Sequence, residues 1–193
     1  MIVWTIQPPE VLDIIERDGV FRCDTSKSSY ANDDQYKEAF DWMVRHMDER
    51  GIRHPEGVEY PIWAWYKWDN EHKRPDLREI GYGYKGEILC RIELDVPDDE
   101  VLLSHLEAWM CVVRGSYLNP GRNEEEWDEN EEILNTSESF EKFSKIIEDS
   151  WENIFDMNWD DGGMWGAGEA IQATFWEIRK EMIRKVTKFR SRG

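Results

Sequence analysis

The sequence predicts an α+β fold, a mixed or antiparallel sheet with flanking helices. Three observations carry that prediction. Segments of strand period at residues 1–7, 60–69, 85–96 and 171–176 are dispersed among segments of helical period. The central strands carry bulk on both alternating faces, as strands covered on two sides do. The 193 residues include 11 Trp, 7 Tyr and 7 Phe, and each aromatic side chain buries roughly 150–250 Å², so an apolar content of only 40% still fills a core. No repeat and no composition break divides the chain, so 1–193 reads as a single domain.

Residues 1–7 alternate Ile2, Trp4 and Ile6 against Val3, Thr5 and Gln7, which is strand period. Pro8-Pro9 ends that strand and is compatible with the first turn of a helix over Glu10–Asp18, whose Val11, Ile14 and Ile15 share a face. Gly19 suits the position after that helix, and Val20–Arg22 reads as a short strand. Tyr36, Phe40, Met43, Val44 and Met47 place a second helix over 32–50. In the strand at 60–69, Trp63 and Trp65 face one way, and Ile62, Ala64, Tyr66 and Trp68 the other. Pro75-Asp76 and Gly81 to Gly86 read as loop, and the next strand spans 85–96. Pro97-Asp98-Asp99 then caps an expected helix over 100–113.

Charge is concentrated. Residues 123–161 hold fifteen acids and two bases, most of the overall net charge of −18. Within them, 123–139 reads as an acidic loop, with Glu124 to Glu132 as mobile chain or a solvated helix end. Phe140, Phe143, Ile146, Ile147 and Trp151 mark an amphipathic helix behind it. Residues 162–168, GGMWGAG, read as a flexible turn, and 171–176 as the last strand. Residues 177–192 carry seven bases against two acids, a basic tail expected to lie against the acidic segment.

These properties exclude several functions. So acidic a chain repels phosphate backbones, which argues against direct nucleic-acid binding. No run approaches the roughly 18 apolar residues of a membrane span, and the opening MIVWTIQPPE lacks the basic and apolar regions of a signal peptide. Cys23, Cys90 and Cys111 are odd in number and lack metal spacing, so they read as reduced thiols and the expected location is cytoplasmic. His46, His54, His72 and His105 are scattered, and no HExxH, CxxC, GxSxG or phosphate-loop pattern occurs. Trp and Tyr on a strand can stack on a base, a nicotinamide or a sugar, although most of the tryptophans are expected to fill the core.

The segments WTIQ, YPIWAWYKWD, RPDLR, LDVPDDEVLLS, SWENIFD and IQATFWEI together resemble an uncharacterised family of small bacterial and phage-type proteins, over nearly the whole chain. That resemblance implies no activity. More distantly, VWTIQPPEVLDIIERDG and IQATFWEIRKEMIRKV resemble the first and last segments of ADP-ribosyltransferase-like domains. This second resemblance implies Thr5 where such domains usually hold His or Arg, Gln172 where the catalytic Glu sits, and Trp63 or Tyr66 at the middle motif. A glutamine supplies no negative charge for an oxocarbenium-like centre, so the implication is binding rather than strong transfer.

Two functions follow as expectations. One is a nucleotide-like ligand site of the NAD or ADP-ribose type, lined by Thr5, Gln7, Trp63, Trp65 and Gln172, with NAD the implied cofactor and no metal. The other is an acidic decoy that blocks a basic, nucleic-acid-binding protein partner through the carboxylates of 123–161.

Overall fold

Bulky and β-branched side chains extend the first strand, and the same logic recurs at each later one. The computed structural model describes residues 1–27, 33–78 and 81–193. Its elements run β1 (Ile2–Gln7), α1 (Glu10–Asp18), β2 (Val20–Arg22), α2 (Asp34–Glu49), β3 (Ile62–Lys67), β4 (Ile88–Asp95), β5 (Leu102–His105), α3 (Leu106–Arg114), α4 (Glu124–Asn135), α5 (Phe140–Ser150), β6 (Ile171–Phe175), β7 (Glu177–Arg179) and β8 (Ile183–Arg190). Six strands form one sheet in the order β5-β6-β3-β1-β4-β8, and β2 with β7 forms a separate ribbon. Every strand pairing is antiparallel, so the fold is α+β with the antiparallel form of the expected sheet.

Both faces of the sheet are buried. Val3, Ile62, Ala64, Ile92, Leu94, Ala173 and Phe175 pack with Val11 and Ile15 of α1 on one face. Trp63 and Leu102 pack with Met43 and Met47 of α2 and Trp109 of α3 on the other. Gly19 closes α1 in the left-handed conformation (φ 79°), donating its N–H to Ile15 O at 2.9 Å. α2 keeps the expected apolar face; residue 32, its expected start, lies outside the described residues.

Three expectations need correction. The helix over 100–113 begins only at Leu106, because Leu102 to His105 pair as β5 with β6. Adjacent leucines suit a strand between two apolar layers, and the tertiary pairing overrides the local helix signal. The acidic loop at 123–139 is largely helix α4. The Asn123 side chain accepts the Glu126 N–H at 3.0 Å, and Glu126 accepts the Arg122 N–H at 2.9 Å, so the start is capped. Glu124, Glu125 and Glu126 then sit at the positive end of the helix dipole. The basic tail is structural: β8 pairs with β4 along the sheet edge. Its ion-pair partners are Asp95 for Arg184, Glu16 for Lys180 and Glu100 for Arg179, none of them in 123–161.

Tryptophan is the main fastener of the loop at 116–121. The indole N–H of Trp127 donates to Gly121 O (2.8 Å), that of Trp151 to Ser116 O (2.7 Å), that of Trp159 to Pro120 O (3.3 Å) and that of Trp165 to Asn119 O (3.0 Å). Trp127 also stacks on Trp165 at 5.7 Å, which fixes the acidic α4 to the body. Replacing Trp127 with Phe keeps a ring and removes one hydrogen bond. The expected cost is about 0.5–1.5 kcal/mol in urea unfolding. A loss of zero would mean that this bond exchanges freely with water.

The turn at 162–168 is tied down. The buried Asp161 carboxylate accepts backbone N–H groups from Gly163 (2.9 Å), Trp165 (2.5 Å) and Ala167 (3.0 Å). Gly162 has φ 61°, and a Cβ there would lie 2.0 Å from Arg122 O, so both conformation and space require glycine.

Candidate functional site

Register decides which of the expected site residues meet. Trp4 pairs with Trp65, and Trp65 with Gln172, so these three share one face of the sheet, together with Trp63 two residues along β3. Thr5 and Gln7 alternate with Trp4 and lie on the opposite face, where Thr5 pairs with Ile92 and Gln7 with Cys90. The five residues therefore do not line one groove. Thr5 Oγ1 donates to Trp63 O at 2.9 Å and accepts from Gln7 Nε2 at 2.9 Å, which is a strand-to-strand link. The Gln172 amide, buried, donates to Ser104 Oγ at 3.0 Å. Trp63 packs on Trp109 at 4.9 Å in the helical core.

Trp65 leads to a cavity of about 820 Å³ beyond the end of β3. Its ring meets Trp68 edge-on at 6.3 Å, and Trp68 lines the cavity. The chain reverses there through Asp69 (φ 51°) and Asn70 (φ 62°), two residue types that tolerate the left-handed region. Trp68 and Glu71 bridge across this turn, and the Asn70 N–H donates to Glu169 O at 2.8 Å. The rim is thereby fastened to the segment that precedes β6. That segment is held in turn by His105, whose Nδ1 accepts the Gly168 N–H and whose Nε2 donates to Asp156 O, each at 2.9 Å. These two bonds select the neutral Nε2–H tautomer.

Arg91 is the unusual member of the lining. It projects from β4, is only 8% exposed, and donates from one terminal nitrogen to Pro75 O at 2.9 Å. It makes no ion pair among the described residues. The nearby carboxylates are otherwise engaged: Glu93 accepts the Trp4 indole N–H at 3.0 Å, and Asp76 is chelated by Arg78. Arg78 holds the Asp76 carboxyl far below the usual carboxylate range. Burial, then the neighbouring Arg74 charge, lowers Arg91 from its ordinary value. A buried guanidinium beside a second cation, with donors left over, has the chemistry to donate to an anionic partner such as carboxylate or phosphate oxygens.

The rest of the charged lining divides into committed and uncommitted groups. Lys73 pairs with Asp69 and Glu71, as Arg78 does with Asp76. Arg74, Glu107 and Glu169 line the cavity with no ion pair among the described residues. Of the expected site residues none lines the cavity; Trp65 touches its lining through Trp68, and Gln172 pairs with Trp65 across β3 and β6. The residues that the sequence analysis passed over are Arg74, Arg91, Trp68, Glu107 and Glu169. A signal existed for Arg91, as a lone base within the apolar strand ILCRIELD. No group of His, Cys, Asp and Glu suited to a metal ion occurs among the described residues. The three cysteines are free, and burial pushes each thiol up from its ordinary value. No helix among the described residues is long and apolar enough to cross a membrane.

Comparison with known proteins adds a family and nothing about ligands. No curated protein matches the chain. No solved structure matches it either. One family model aligns with residues 2–184, from the first residue of β1 into β8, and so takes in both walls of the cavity. The chain therefore belongs to the family described as a domain of unknown function, DUF3841.

Proposed function

We propose that this protein binds a small phosphate-bearing, nucleotide-like ligand in the cavity between Arg91, Arg74 and Trp68. The observation that carries this reading is the buried Arg91 guanidinium, which feels Glu93 and Asp76 nearby but makes no direct ion pair among the described residues. Phosphate oxygens accept from a guanidinium in the planar geometry that its fork of donors presents, and each charge-assisted bond is about twice as strong as a neutral one. The exposed Arg74 adds a second cation without closing the cavity. The half-buried Trp68 adds an aromatic, apolar side chain to the lining beside these cations. Local donors of this kind bind an anion despite the overall charge of −18, because the remote acids are screened beyond roughly 8 Å at physiological salt.

ADP-ribose and NAD, the ligands implied by the distant resemblance to ADP-ribosyltransferase-like domains, are the probes for the test. In calorimetry, Arg91→Gln and Arg74→Gln are each expected to weaken binding roughly tenfold or more, the equivalent of losing one charged hydrogen bond. Arg74 is exposed, so its variant stays folded even if the Arg91 variant does not. Gln172→Ala is expected to bind like the wild type, since that amide is spent on Ser104. Absence of heat from both ligands at millimolar concentration would overturn the proposal, as would full binding by the Arg74 variant together with a folded Arg91 variant.

A further inference from the structure

We infer that a second cavity, formed where α2, the end of α3 and the end of α5 meet, seats a short basic segment of a partner protein. The inference shares no residue with the anion cavity at Arg91 and stands without it. The second cavity holds about 490 Å³. Asp34, Glu38 and Asp41 line it from α2, spaced four and three residues apart on one helix face over about 10 Å. None of the three makes an ion pair among the described residues, and Asp41 accepts the Tyr60 hydroxyl at 2.9 Å with one oxygen. Asp34 lies in the first turn of α2 and offsets that helix's positive end, so Glu38 and Asp41 carry more of the field. Val112 to Gly115 bring the carbonyl end of α3 to the same cavity, which adds about half a negative charge. Against these stands Arg114, which has no ion pair among the described residues. The other arginine of the lining, Arg45, is held by Glu148 at 2.7 Å, a pair that joins α2 to α5.

Acids on a helix face are ordinarily just solvated; Trp42 is what makes this cavity different. It lines the cavity, is only 4% exposed, and its indole N–H has no acceptor among the described residues. The indole N–H groups of Trp4, Trp127, Trp151, Trp159, Trp165 and Trp176 each have one. A buried donor without a partner is a cost that an acceptor from outside the chain can remove. The carboxylates call for a cation and the indole for an oxygen, within one cavity. A free amine answers only the first, because an ammonium has donors and no acceptor. A peptide carrying lysine or arginine answers both, with a carbonyl for the indole and basic side chains for the acids. Its alkyl stems also suit Trp42 and Trp151, which meet edge to face at 5.8 Å in the lining. Alternate side chains of an extended segment stand about 7 Å apart, close to the one-turn spacing of the acids on α2. The indole N–H has almost no exposed surface, so a neighbour must move aside to admit the carbonyl. Arg45 stands three residues from Trp42 on the helix, and its half-exposed pair with Glu148 is the contact that parts.

The test is calorimetry of the full chain with a capped hexapeptide alternating lysine and alanine. Spermidine and the matching glutamate–alanine peptide are the controls. The lysine peptide is expected to bind and the glutamate peptide to give no heat. Glu38→Gln is expected to weaken the lysine peptide roughly threefold; the group is exposed, so screening limits the effect and the variant stays folded. Trp42→Phe keeps a ring and removes the N–H, and is expected to weaken the peptide roughly fivefold while leaving spermidine unchanged. Arg45→Gln removes the internal cation and is expected to tighten peptide binding roughly threefold, a gain that misfolding cannot produce. No heat from the lysine peptide at millimolar concentration would overturn the inference, as would unaltered affinity in the Glu38 and Trp42 variants. Spermidine binding as tightly as the peptide, with no dependence of either on the Trp42 N–H, would also overturn it, since the cavity would then read charge alone.

Discussion

Phe175→Ala is expected to lower the stability by about 3–5 kcal/mol, the range for emptying a fully buried phenylalanine site. Phe175 has no exposed surface, pairs with Ile62 across β6 and β3, and packs in the layer that includes Val11 and Ile15 of α1. The neighbouring strands are hydrogen-bonded on both sides of β6, so they cannot collapse into the cavity without breaking register. Urea unfolding followed by circular dichroism measures the effect, with an unchanged slope showing that the unfolded state is the same. A loss below about 1 kcal/mol would contradict the packing of α1 on this face.

Asp161→Asn is the second large effect, expected at about 2–4 kcal/mol, because one carboxylate serves three backbone N–H groups and bonds to charged acceptors are the stronger kind. Burial raises the carboxyl of Asp161, but the N–H groups of Ala167, Gly163 and Trp165 outweigh it, and the net direction is downward from 3.8. With the folded value depressed, the stabilisation is fully present above the unfolded value near 3.8 and is lost as pH falls through the folded value beneath it. The asparagine variant should therefore be less stable at neutral pH and lose less on acidification than the wild type. Hydrogen exchange at residues 163, 165 and 167 should accelerate in the variant. Unchanged exchange there, or an equal response to acid, would refute the role of the carboxylate.

The parts of the fold legible in the sequence were those written in local patterns. Strand β1 and helix α1 follow from alternation, Pro8-Pro9 and Gly19, within a few residues of one another. Strand β5 was not legible, because Leu102 to His105 become a strand only by pairing with β6, nearly seventy residues later. The acids of α4 suggest solvated chain until Trp127 is seen anchored on Gly121 and Trp165. The expected site illustrates the same limit. Alternation correctly put Thr5 and Gln7 opposite Trp4, but only register reveals that Trp65 and Gln172 stand on the Trp4 side. The cavity lies one turn beyond, at Trp68, and its key cation is a single arginine whose burial without a direct ion pair among the described residues is a property of the folded chain.

The placement of α4, α5 and β8 also gives the molecule an electrical axis. Helix α5 leads into the turn at Trp151–Phe155, which packs beside β5, so the −13 of residues 123–161 gathers toward one margin of the sheet. At the other margin, Lys185, Lys188, Arg190 and Arg192 make no ion pair among the described residues. Five interstrand spacings, about 24 Å, separate β5 from β8. Such a protein has a permanent dipole as well as a net charge. Near a positively charged surface it experiences a torque that turns the helical margin forward, and near a negatively charged one the strand margin. At physiological salt that torque acts only within about 8 Å, so the molecule is oriented in the last step of an encounter rather than drawn in from a distance.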